Sequence, residues 1–94
     1  MTDLPPSDAQ LVARMAAGDR RAHEQLGERH RLSLYARVYA LLADAAATED
    51  VLAETLERAW RAACDFNPGA GSVAAWLSEI ARNLAQRRQG PVIS

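Results

Sequence analysis

TEDVLAETLERAW at residues 48–60, FNPGAGS at 66–72 and VAAWLSEIARN at 73–83 decide how this chain folds. In the first stretch and its continuation, Leu52, Leu56, Ala59/Trp60 and Ala63 recur at spacings of three and four. In the last, Trp76/Leu77, Ile80/Ala81 and Leu84 do the same. That period puts each set on one face of an α-helix and predicts two amphipathic helices. The residues between them, Asn67-Pro68-Gly69-Ala70-Gly71-Ser72, cannot continue a helix, because proline lacks the donor and glycine favours other backbone conformations. Thr48 is the expected N-cap of a helix over residues 49–64, with Glu49 and Asp50 at the positive end of its dipole. Ser72 is the expected cap of a helix over 73–89, stopped by Gly90-Pro91.

Upstream, Leu4-Pro5-Pro6 reads as an extended lead-in, and Ser7 followed by Gln10 forms a capping box that starts a helix over 8–17. Gly18 ends it, and Asp19 caps a long helix over 20–42 in which Gly27 is the only strong breaker. Leu26, His30, Leu34, Val38 and Leu41/Leu42 fall on one stripe of that helix. No segment alternates with period two, so strands are not expected. The fold class is all-α: a compact four-helix domain over 8–89, with a lead-in at 1–7 and a short tail at 90–94.

The chain has 94 residues, enough for one domain with one modest core. It is 49% hydrophobic and 24% charged, and it shows neither a long apolar run nor a signal-peptide pattern, so a cytoplasmic protein without a membrane partner is expected. The single cysteine, Cys64, excludes an internal disulfide. His23 and His30 offer no metal-ligand spacing, so no cofactor is expected. Neither enzymatic activity nor a small-molecule substrate is expected, because Cys64 falls on a different helix from His23 and His30 and the three make no nucleophile–base arrangement. A net charge of −1 confines any nucleic-acid surface to a local patch.

The outward rows of the two helices differ in character. Asp50, Glu54, Glu57/Arg58 and Arg61 run from acidic to basic along the third helix, a pattern that suits either a basic protein partner or a solvated face held by Glu54–Arg58 and Glu57–Arg61 pairs. Arg82, Asn83, Gln86, Arg87 and Arg88 make the exposed side of the fourth helix basic and amide-rich, which suits base edges and phosphates. Trp60 and Trp76 read as buried anchors, with partial exposure for base stacking the alternative; Tyr35 and Tyr39 read as core, with a groove against the fourth helix the alternative, His30 as core edge and His23 as surface.

Gly18-Asp19, Thr48-Glu49-Asp50-Val51 with Glu54, Arg58 and Trp60, then Gly71-Ser72, Ala75-Trp76-Leu77 and Ile80-Ala81-Arg82-Asn83 occur in this order. Over residues 8–88 the chain thereby resembles the second conserved region of bacterial sigma factors of the extracytoplasmic-function group. The resemblance implies a helical domain that docks on the clamp helices of the RNA polymerase largest subunit and recognises and melts the minus-ten promoter element. It assigns Asp50, Leu52, Glu54, Glu57 and Arg58 to the polymerase. It assigns Phe66, Ser72, Arg82, Asn83, Gln86, Arg87 and Arg88 to DNA, chiefly the opened non-template strand, with the 66–72 loop as a base pocket. An anti-sigma factor is the further partner it implies.

Two departures from the family pattern bear on these expectations. Ala53 stands where the family usually has glutamine, and Glu57 where it is more often apolar or neutral. The basic run ends at Arg87-Arg88-Gln89, and the helix-turn-helix domain that reads the minus-thirty-five element does not follow within these residues. The chain is therefore expected to be either a fragment of a longer sigma factor or a truncated sigma-like regulator. In the second case it would be a decoy that holds an anti-sigma factor or the polymerase without productive DNA binding.

Overall fold

The computed structural model describes residues 4–89. Its helices are α1 (Asp8–Ala16), α2 (Arg20–Leu42), α3 (Ala45–Ala62) and α4 (Val73–Gln89), with short 3-10 turns at Ala63–Asp65 and Pro68–Ala70 between the last two. No strand occurs among the described residues. The 90–94 tail lies outside them.

Local chemistry sets most of the boundaries. Ser7 Oγ accepts from the Gln10 amide at 3.1 Å while the Gln10 side chain accepts from the Ser7 amide at 2.8 Å, so the capping box satisfies two otherwise orphan donors. Gly18 takes φ +94, a left-handed conformation open to glycine at little cost. Asp19 Oδ1 then accepts from the amides of Arg21 and Ala22 to start α2. Helix α2 ends at Ala43 with φ 52, a left-handed cap made without glycine.

The start of α3 differs from the sequence expectation. Asp44, not Thr48, is the N-cap: its carboxylate accepts from the Ala47 amide at 2.8 Å. Ala45-Ala46-Ala47 form the first turn, since alanine is the strongest helix former and Asp44 supplies a cap in front of it. Thr48 is fully buried and its hydroxyl donates to the Asp44 carbonyl at 2.7 Å. Thr55 is likewise fully buried, donating to the Val51 carbonyl at 2.7 Å. With their hydroxyls satisfied inside the helix, both threonines present methyl groups to the core.

Helix α2, about 34 Å long at 1.5 Å per residue, is the spine; α1, α3 and α4 all pack on it, and α3 packs on α4. Leu11, Val12 and Met15 of α1 enter the same core as Leu26, Leu34 and Val38 of α2, Val51 and Leu52 of α3, and Leu77 and Leu84 of α4. Gly27 marks the α2–α3 crossing, where an added Cβ would lie 2.9 Å from Leu56 Cδ1. Polar ties fix the same helices. His23 Nε2–H donates to the Leu56 carbonyl at 2.8 Å, and Asp8 accepts from Arg29 and His30, each at 2.9 Å.

The aromatic residues sit at the margins of this core. Trp60 is half-buried beneath the Arg20 guanidinium, 4.0 Å from the ring centroid, with His23 against its edge at 5.4 Å. Trp76 is half-buried against Phe66 at 4.9 Å. Tyr35 and Tyr39 stack at 5.9 Å, but Tyr39 is 45% exposed and belongs to the surface rather than the core. His23, expected on the surface, is half-buried because its ring bridges α2 and α3. No helix among the described residues is long and apolar enough to cross a membrane.

Candidate functional site

Two polar surfaces stand out, one on α3 and one along α4 and the loop before it. On α3, Asp50, Glu54, Glu57, Arg58 and Arg61 are all exposed. Each acidic residue of the row meets an arginine: Asp50 with Arg88 at 3.2 Å, Glu57 with Arg20 at 3.5 Å, and Glu54 with Arg58 at 3.5 Å. Glu57 thus turns to α2 rather than along its own helix to Arg61, because Arg20 is held against the neighbouring Trp60 ring. These pairs are solvent-exposed, a class worth about 0–1 kcal/mol each, so they leave the carboxylates open to exchange for a partner's cations. Glu49, beside the row, accepts from Arg31 Nη2 on both of its carboxylate oxygens at 2.9 Å, and that hydrogen bond with the carboxylate charge holds Arg31 further in the cationic form.

Leu52, assigned above to polymerase contact, is only 4% exposed and lies in the core. The cause is the face it shares with Val51 and Thr55, which turns inward with the buried threonines. It supports the row from beneath and cannot touch a docked protein; Leu56, half-exposed against Gly27, is the apolar residue nearer the surface.

On α4, Arg82, Asn83, Gln86, Arg87 and Arg88 are exposed, but they divide between two flanks. Trp76, Ile80, Asn83 and Arg87 follow at spacings of four, three and four, a straight row on one side of the helix. Its head is the Phe66–Trp76 pair. Arg82 stands on the other flank, in an open groove of about 760 Å³ between α2 and α4 that Arg37, Ser33, Ser78 and Glu79 also line. Arg37, Arg82 and Arg87 form no ion pair with a described residue, which leaves their charge for an anion. Arg88, by contrast, points back to Asp50.

The loop is more ordered than its glycine content suggests. Asn67 Oδ1 accepts from the Gly69 amide at 2.9 Å and the Asn67 carbonyl from the Ala70 amide at 3.0 Å. Those two amide donors are spent on the turn and not left for a base in the 66–72 loop. Ser72 Oγ caps α4 by accepting from the Ala75 amide at 3.0 Å, so only its own O–H remains to donate. Gly71 adopts φ 155 and ψ −176, a region essentially restricted to glycine, and so sets the angle at which the loop enters α4.

Trp76, for which burial is the first expectation and partial exposure the alternative, is half-buried and stands at the head of the Asn83 row. Arg37 received no role, although its spacing of four from Ser33 and its place one turn before Leu41 put it on the α4 side of α2. Among the described residues, no group of three or more His, Cys, Asp and Glu side chains is placed to hold a metal ion.

The Sigma-70 region 2 family model matches residues 26–89, which takes in α3, the loop, α4 and most of α2. The NMR structure of an engineered region 2 of sigmaE, solved in complex with GTAAAA, is similar to this chain with a TM-score of 0.83. The identity is 27%, over 95% of this chain and 90% of that one. No curated protein matches the sequence. A match of that extent, on a helical fold with the same order of elements, shows that the chain belongs to the sigma-70 region 2 family of transcription initiation factors.

Proposed function

We propose that this domain docks on the clamp helices of core RNA polymerase through α3 and holds the opened non-template strand of a minus-ten element along α4. The observation that carries this reading is the separation of the two surfaces: a ridge of exchangeable carboxylates at Asp50, Glu54 and Glu57, and a row at Trp76, Asn83 and Arg87 whose arginine has no described partner. Carboxylates one helical turn apart meet arginines on a partner helix in charge-assisted pairs, which set register and association rate.

On α4 the chemistry divides by residue. The Asn83 amide donates to and accepts from a base edge, Arg87 and Arg82 neutralise phosphates, and the Phe66–Trp76 pair offers a ring face on which an unstacked base rests. Opening the duplex costs a few kcal/mol per extruded base, and such a platform recovers part of that through stacking. The similarity to an engineered sigmaE region 2 solved in complex with GTAAAA supports nucleic-acid binding by this domain. The activity is binding, with no bond made or broken by the domain.

The test is a comparison of strands. At low salt, the domain is expected to bind a single-stranded minus-ten oligonucleotide more tightly than the same sequence as duplex, since an unpaired base enters without the extrusion cost. Equal affinity for both forms would remove the melting role. Absence of DNA binding together with tight binding to an anti-sigma protein would favour the decoy instead.

A further inference from the structure

One contact joins the two surfaces. Arg88, in the last turn of α4, places Nη2 3.2 Å from Oδ2 of Asp50, near the start of α3 and 38 residues earlier in the chain. Both side chains are open to water, 44% exposed for Arg88 and 64% for Asp50. Next to it, Gln89 Nε2 donates to the Leu41 carbonyl at 2.7 Å and holds the end of α4 against the end of α2. Arg88 therefore changes partner by swinging its own long side chain, with the helix beneath it fixed.

We propose that this ion pair is a latch between protein docking and DNA binding: an arginine or lysine of a docked partner that takes Asp50 releases Arg88 to the nucleic-acid backbone. The inference rests on the assignment of the two faces given above. A partner arginine that grips a carboxylate bidentately needs both oxygens, and one of those of Asp50 carries Arg88. Docking and the pair therefore compete for one carboxylate. Once released, Arg88 adds its charge to that of Arg87 at the end of the DNA row. Linkage makes the effect reciprocal, so bound DNA that draws Arg88 away raises the affinity of Asp50 for the partner by the same factor. Because the pair is exposed, the latch is shallow: a coupling of about two- to fivefold at low salt, the range that exposed pairs supply.

The experiment uses the 94-residue chain and two single-stranded probes of equal length, GTAAAA and an unrelated hexamer, followed by fluorescence anisotropy at low salt. Asp50→Asn is expected to bind both probes about two- to fivefold more tightly than the unchanged chain, since a backbone contact is blind to sequence. Glu24→Gln makes the same charge change on α2, at a residue that takes part in none of the ion pairs above, and is expected to bind as the unchanged chain does. Arg88→Gln combined with Asp50→Asn is expected to erase the gain, a non-additivity that identifies the pair. In a 15N spectrum, the Arg88 Nε–Hε signal is expected to move on Asp50→Asn even before DNA is added.

Equal gains from Asp50→Asn and Glu24→Gln would reduce the effect to net charge and overturn the latch. So would a gain that survives Arg88→Gln, or an Arg88 signal indifferent to Asp50. Failure of every variant and of the unchanged chain to bind either probe would overturn the DNA face itself, and the latch with it.

Discussion

The outward surfaces of α3 and α4 are both exposed and both charged, yet they are prepared differently. On α3 the carboxylates of Asp50, Glu54 and Glu57 already hold arginines supplied by α4, α3 and α2 respectively. On α4, Asn83 and Arg87 continue a row begun by half-buried Trp76 and Ile80, and Arg87 has no described ion partner. A surface meant for another protein gains from carboxylates held in place by weak pairs, because a partner's arginines replace like with like. One meant for an opened strand needs unpaired cations and a ring face, because phosphate and base arrive together. The contrast teaches that charge sign alone does not separate the faces; what separates them is whether each charge has a partner.

The strongest way to break the contrast is to reverse the α3 row. Asp50→Lys with Glu54→Lys is expected to lower binding to the polymerase clamp helices at least a hundredfold, since like charges set opposite each other across an interface cost several kcal/mol. Helical content should not change, because both residues are exposed and their pairs contribute little to folding. Undiminished binding in a pull-down, with the circular dichroism unaltered, would remove the docking role from α3.

Next in size is a change beneath both faces. Leu77 is fully buried at the centre of α4, and Leu77→Ala is expected to cost about 2–5 kcal/mol from lost burial and the cavity left behind. That is a large part of the roughly 5–15 kcal/mol by which a small domain is stable. Both binding activities should then fall together, in step with the folded fraction measured by chemical denaturation. Loss of one activity with full stability would show that Leu77 belongs to a face and not to the core.

What the sequence disclosed follows from how far its determinants reach along the chain. Ser7, Gly18, Asp19 and Ser72 were legible because a cap is made within three or four residues of itself. Thr48 misled because a threonine that turns its hydroxyl back to the preceding turn and buries its methyl has the spelling of a cap. The core stripe expected for α3 follows its larger apolar residues, so it omits Val51 and Thr55, which are buried, and includes Leu56 and Trp60, which are only partly buried. The family likeness was legible in the order of short words from Gly18 to Asn83. Contacts across 37 or 38 residues, Arg20 with Glu57 and Arg88 with Asp50, were not, because nothing in local spacing reports which helices end side by side.

A finer cut sharpens the α4 side. Asn83→Ala is expected to flatten discrimination among single-stranded minus-ten sequences by about 1–3 kcal/mol at one position, the value of a good amide-to-base pair. Folding should be unaffected, because Asn83 is exposed and makes no hydrogen bond with a described side chain. Discrimination that persists across a panel of oligonucleotides would move base reading elsewhere, with the Arg82 and Arg37 groove the next surface to test.

The smallest effect separates positioning from reading within the same row. Arg87 lies one turn beyond Asn83 on the same flank, exposed and without a described ion partner. On the proposed reading, its contribution to a bound strand is charge delivered to a phosphate. Arg87→Ala is expected to weaken all sequences alike and to reduce the slope of log K against log salt by about one unit, the release of one counterion fewer. The loss should fade as salt rises, whereas that of Asn83→Ala should persist, since a hydrogen bond to a base edge is not screened in the same way. Measuring both variants across a salt series puts the two roles on separate axes. An Arg87 variant that changes sequence preference while leaving the slope intact would show that the arginine reads bases, and the division of labour along α4 would have to be redrawn.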